Sequence, residues 1–176
     1  VEAQDRVGTD IAYQVRDFLK DGVIQQAVNF FQLSGEAYDQ IKPAIDLGER
    51  LASFVAQVAP GEVRKVAVTL YGTFKDLQPQ PILQATVAGA LKAADAEISF
   101  VNAMARAESR GVEASFAVSS SSTRHANLMS VRITTSETEL AVAGTLFGEG
   151  QLRLVELDGI PVDAVLHGHI LAITND

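Results

Sequence analysis

Cysteine and tryptophan are absent from this chain of 176 residues, and it holds only two methionines and five prolines. Without cysteine there is no disulfide, no thiolate nucleophile and no sulfur-ligated metal, and a reducing cytoplasm is the expected setting. Positive charge is also short: 14 Lys+Arg stand against 22 Asp+Glu, a formal net charge of -8. Nucleic acid and anionic lipid both repel such a chain, so neither is expected as a partner. No apolar run approaches ~18 residues and no basic stretch precedes an apolar core, which argues against a membrane span and a secretory signal. No Gly-x-Gly-x-x-Gly follows a strand, so no dinucleotide phosphate has a turn to sit on. Gly-x-Ser-x-Gly is missing as well, which leaves Ser119–Ser122 and His125 without the elbow a serine hydrolase needs.

What is present is a high apolar content, 47% of residues, enough for one sizeable core. Ile11, Val15, Phe18 and Leu19 fall on one face of a helix over Asp10–Lys20, ended by Asp21-Gly22. Ala27–Phe30 reads as a short extended piece. A second helix is expected from Gly35 to Ala59, with Ile41, Ile45, Leu51, Phe54, Val55 and Val58 as its core stripe. Pro43 requires that helix to begin near it or kink there. From Val63 the pattern changes: Val66, Val68 and Leu70 alternate with Ala67, Thr69 and Tyr71, the signature of a half-buried strand. Helices follow over Pro79–Ala94 and Asn102–Ser109, then strands over 113–118, 128–134, 139–147, 151–157 and 169–174. Two helices between a first strand and a run of hairpins predict an α+β fold. Its sheet is mainly antiparallel, its helices pack on one face, and an N-terminal helical segment precedes it. A boundary is placed near residue 30, because residues 1–30 carry too little apolar surface to fold alone. Residues 31–176 hold their own core. Val1 at the start is expected of a piece taken from a longer protein.

Four motifs in order carry a resemblance. They are Phe100-Val101-Asn102-Ala103, Arg110-Gly111-Val112, Gly144-Thr145-Leu146-Phe147-Gly148 and Leu157-Asp158-Gly159. With them, residues 31–176 resemble the intervening, or allosteric substrate-binding, domain of long-form D-3-phosphoglycerate dehydrogenases. Glu2-Ala3-Gln4 and Ala27-Val28-Asn29 look like the tail of that family's catalytic body, and Ile173–Asp176 like the lead-in to its serine-binding ACT domain. The resemblance implies a regulatory segment of an enzyme that oxidises 3-phosphoglycerate with NAD at the start of serine synthesis. The cofactor and the catalytic residues would lie on the rest of such a parent, so this segment is expected to hold no cofactor and no catalytic residue. The implied partners are the parent's catalytic and ACT domains, a small anionic metabolite or phosphate, and further copies in a homo-oligomer. A rival from another class is a free-standing binding module or accessory subunit, since iron-sulfur L-serine dehydratases carry a similar domain.

In some relatives basic residues before and after the "NG" or "DG" turn bind anions. The first position matches Arg153 here, the second Val165, which cannot bind one. A guanidinium grips a phosphate with two parallel hydrogen bonds, which makes Arg153 the centre of the expected anion site. Arg132, Arg124 and His125 are its expected helpers. The plain alternative for Arg153 is a pair with a carboxylate such as Glu156 or Glu139, and for the Arg124 segment a polar hairpin loop. His167 and His169 would share one strand face. Two imidazoles without further ligands make no metal site, and none is expected.

Overall fold

The computed structural model describes residues 7, 9, 11–13, 15–16, 35–121, 124–148 and 150–173. By its contacts the chain divides into two compact units, Val1–Lys42 and Pro43–Asp176. In the first unit Val7, Thr9, Ile11, Ala12, Tyr13, Val15 and Arg16 are helical, within and just before the expected helix. Ile11 and Val15, expected on its apolar stripe, are both more than half exposed. Phe18, Leu19 and the extended piece over Ala27–Phe30 lie outside the described residues.

Helix α1 spans Gly35–Val58 and carries Pro43 inside it, so the helix does not begin at the proline. On the second unit its buried face is Ala44, Leu47, Leu51, Ala52 and Val55, all 1% exposed or less. This is the i, i+3, i+4, i+7 spacing of one helical face. Leu47 belongs to that face although the expected stripe omitted it. Val58, expected in the core, is 42% exposed, because it lines an open cleft at the end of the helix.

The sheet has six strands in the order β2-β1-β3-β4-β5-β6. They are β1 (Val63–Gly72), β2 (Glu113–Ser119), β3 (Asn127–Thr135), β4 (Glu139–Phe147), β5 (Gln151–Leu157) and β6 (Ile160–Val165). Only β1 and β2 pair in parallel. That pairing needs a crossover, supplied by helices α2 (Pro79–Lys92) and α3 (Ala103–Ser109). Every other neighbour is antiparallel. The architecture is therefore α+β, as the pattern of elements implies. Val66, Val68 and Leu70 of β1 stand opposite Ile133, Val131 and Met129 of β3, and all six are buried. This face meets the helices: α2 packs on β1 and β2, and a Cβ on Gly144 of β4 would press on Leu47 and Leu51 of α1 at 2.9 Å. The two helices cross closely, since a Cβ on Gly89 would run into the Glu49 carbonyl.

One expected strand is corrected. Among the described residues, 169–173 have no regular structure, and the sixth strand is Ile160–Val165. The cause is local. Asp158 and Gly159 both have positive φ, 49° and 79°, which closes a two-residue hairpin and sends the chain straight back along β5. Ile160, Val162 and Ala164 do alternate with Pro161 and Asp163, but a proline with no amide to donate argues against a strand and is tolerated here because β6 is an edge strand. Beyond Leu166 the chain bends, so His167 and His169 do not share a strand face.

Candidate functional site

The motif residues do structural work. Asn102 clamps its own segment: its Oδ1 accepts from the Ser99 amide at 2.8 Å and its Nδ2 donates to the Glu97 carbonyl at 3.0 Å. Gly111 has a φ of 66° and ends α3. Its amide donates to the Glu108 carbonyl at 3.0 Å and that of Val112 to Ala107 at 2.9 Å, the two bonds of a left-handed helix terminus. Thr145 is 3% exposed. Its hydroxyl lies 2.6 Å from the Asn127 carbonyl and 2.8 Å from Asn127 Oδ1, which also accepts the Leu146 amide at 2.8 Å. These bonds lock the ends of β3 and β4 together.

Arg153 is the register partner of both Thr145 and Val165. The hairpin therefore sets the two positions singled out by the resemblance side by side, one basic and one apolar. Arg153 is paired with a carboxylate, as the plain alternative expects, but with Asp163 and not with Glu156 or Glu139. Its Nε donates to Asp163 Oδ1 at 2.7 Å and its Nη1 to Gln151 Oε1 at 3.0 Å. The guanidinium lies 5.7 Å from the centroid of the Phe147 ring, within the range of a cation–π contact. Its side chain is 24% exposed, against 71% for Asp163. The guanidinium is thus held and partly covered, with its Nε edge already paired to a carboxylate.

The four expected residues do not form one cluster. Arg132 stands opposite Ala141, and Arg153 opposite Thr145, four positions further along β4. That is about 13 Å along the strand direction, with a strand between them. Arg132 is committed elsewhere: its Nη1 donates to Glu139 Oε1 at 2.6 Å, and Thr134 donates to Glu139 Oε2 at 3.0 Å. The hydrogen bond from Arg132, then that from Thr134, hold the Glu139 carboxyl below its ordinary pKa. Arg124 and His125 lead into Asn127, whose contacts to Thr145 bring this loop to the end of the sheet that holds Arg153. The structure thus sets Arg132 apart from Arg153. Asp163 escaped the sequence reading because β6 did; the Asp158-Gly159 turn was the signal that pairs it with Arg153. Gln151, two positions before Arg153 on β5, and Phe147, the partner of Gln151 on β4, lie on expected strands but were not singled out.

Among the described residues no group of three His, Cys, Asp or Glu is arranged to hold a metal. Nor is any helix among them long and apolar enough to cross a membrane. Ser119 and Ser121 bond to each other, hydroxyl to hydroxyl at 3.0 Å and the Ser121 amide to Ser119 Oγ at 3.2 Å.

Residues 40–158 match the family model of the D-3-phosphoglycerate dehydrogenase intervening domain. The chain is 30% identical over 173 residues to the D-3-phosphoglycerate dehydrogenase of Bacillus subtilis, covering 98% of this chain and 33% of that protein. It is 28% identical over 172 residues to the enzyme of that name from Synechocystis, covering 97% of this chain and 31% of that one. With the enzyme of Mycobacterium leprae the identity is 30% over 175 residues. The chain spans about a third of the length of these relatives. By its motifs, its fold and this match over most of its length, the chain belongs to the D-3-phosphoglycerate dehydrogenase intervening-domain family.

Proposed function

We propose that this chain is the regulatory intervening segment of a D-3-phosphoglycerate dehydrogenase, residues 1–30 being the tail of the catalytic body and 31–176 the intervening domain. The parent would oxidise 3-phosphoglycerate with NAD in the cytoplasm, at the head of serine synthesis. The observation that carries this is the alignment of 97–98% of the chain with dehydrogenases named for that reaction. The alignment includes the residues before position 40, which an accessory subunit of another enzyme does not need.

The segment's work is to convert occupancy by a small anion into a change of domain arrangement. A ligand does so only by binding two arrangements with different affinity. Arg153 supports this role, with Arg124 and His125 on the neighbouring loop, because its guanidinium is oriented by Asp163 and Gln151 before any ligand arrives. Asp163 competes with the anion for the same donors. Titration of inorganic phosphate into the chain at constant ionic strength, followed by amide NMR, should shift the signals of β5 and the β2–β3 loop in a saturable way. Arg153→Gln should abolish the response and Asp163→Asn should strengthen it, a charge-assisted contact being worth about 1.5–3 kcal/mol. A response unchanged in Arg153→Gln would remove the site from this residue.

A further inference from the structure

A second cationic surface lies away from Arg153. The last turns of α1 and the bend after β6 enclose a cleft of about 250 Å³. Its polar lining is Arg50, Ser53, Gln57, His167 and His169, and it contains no carboxylate. Phe54 and Leu166, 8% and 5% exposed, form part of its apolar floor.

Two observations separate this cleft from the rest of an acidic molecule. Arg64, Arg106, Arg110, Arg132 and Arg153 each engage an Asp or Glu. Among the described residues Arg50 engages none. Its one hydrogen bond there is a long one, Nη1 to the Leu166 carbonyl at 3.5 Å. That bond joins the two walls and leaves most of the five guanidinium donors for a ligand. His167 and His169 also meet no carboxylate among the described residues. The second observation is that hydrogen bonds brace both walls, on the β6 side as far as His167. The Leu166 amide donates to Leu152 at 3.0 Å and the His167 amide to Val165 at 2.9 Å. Gln57 Nε2 donates to the Ser53 carbonyl at 2.9 Å and to Ser53 Oγ at 3.1 Å. That occupies the serine oxygen as an acceptor and leaves its O–H to donate into the cleft.

We propose that this cleft binds a small oxyanion, a carboxylate or a phosphate monoester, through Arg50, His167 and His169, with the Ser53 hydroxyl as a further donor. The volume holds roughly eight waters at ~30 Å³ each, which suits an anion of a few carbons. The partial negative charge at the end of α1 opposes an anion only within the last turn. Arg50 precedes Val58 by two turns. The cleft stands on groups separate from Arg153, so either site can exist without the other.

The test is titration of inorganic phosphate and, separately, of malonate into the full 176-residue chain at constant ionic strength, with the histidine ring signals read by NMR. The ring signals of His167 and His169 are expected to shift in a saturable way. Arg50→Gln should weaken the apparent affinity about tenfold or more, as loss of a charge-assisted contact implies. Arg153→Gln should leave it unchanged. Saturation by phosphate alone or by malonate alone distinguishes the two sources of the oxyanion, and either supports the site. Rings of His167 and His169 that move only linearly with added salt, or not at all in the wild type, would overturn it. So would an effect that Arg153→Gln removes and Arg50→Gln leaves intact. The wild-type signals decide the matter even if Arg50→Gln fails to fold.

Discussion

Charge on this sheet is spent in pairs. Lys65 with Glu113, Arg132 with Glu139 and Arg153 with Asp163 are all partly or largely exposed, and such pairs add little stability. Their effect is on which groups remain available. Glu139 is held ionised by Arg132 and Thr134, so its carboxyl titrates below the ordinary glutamate value. A carboxyl whose folded pKa is depressed adds stability above its unfolded pKa and loses it as pH falls through the folded one. The dependence therefore lies on the acid side of the ordinary glutamate range and is flat at neutral pH. Arg132→Ala should return the Glu139 titration, followed by NMR of its side-chain carbonyl, toward the ordinary value. A midpoint unchanged by that substitution would show that the bond from Arg132 does not hold the carboxylate.

At the scale of elements, the close crossing of α1 and α2 depends on Gly89. A methyl group there meets the backbone of Glu49, which cannot step aside as a side-chain tip can. Gly89→Ala should cost about 1–3 kcal/mol, read as a lower denaturant midpoint. An unchanged or raised midpoint would mean that the helices separate freely. Most of these elements were legible in the chain. The alternation of Val66, Val68 and Leu70 gave β1, and the order of helices and hairpins gave the α+β class, because burial of one face imposes a period. Strand β6 was not legible, since Pro161 has no amide to donate and speaks against a strand, and only pairing with β5 makes the segment one. The site was legible in part. Arg153 could be singled out, but its partner Asp163 depends on that same pairing. The cleft at Arg50 joins residues more than a hundred positions apart, a proximity that no local pattern encodes.

For the whole molecule, the exposure of Ile11 and Val15 is costly. Burying side chains of this size is worth roughly 1.5–3 kcal/mol each, so the N-terminal segment should find cover on another copy of the chain. Size-exclusion with light scattering should show a dimer for the full chain and a folded monomer for residues 31–176. A monomeric full chain with a rapidly exchanging N-terminal helix would contradict this. The central claim is that the chain is one segment of a dehydrogenase, and sequencing of the transcript that encodes it tests this most directly. One uninterrupted reading frame should run through it, with a strand, a Gly-x-Gly-x-x-Gly turn and a helix encoded on its N-terminal side. A start codon immediately before Val1, with no such turn in the frame, would contradict the account.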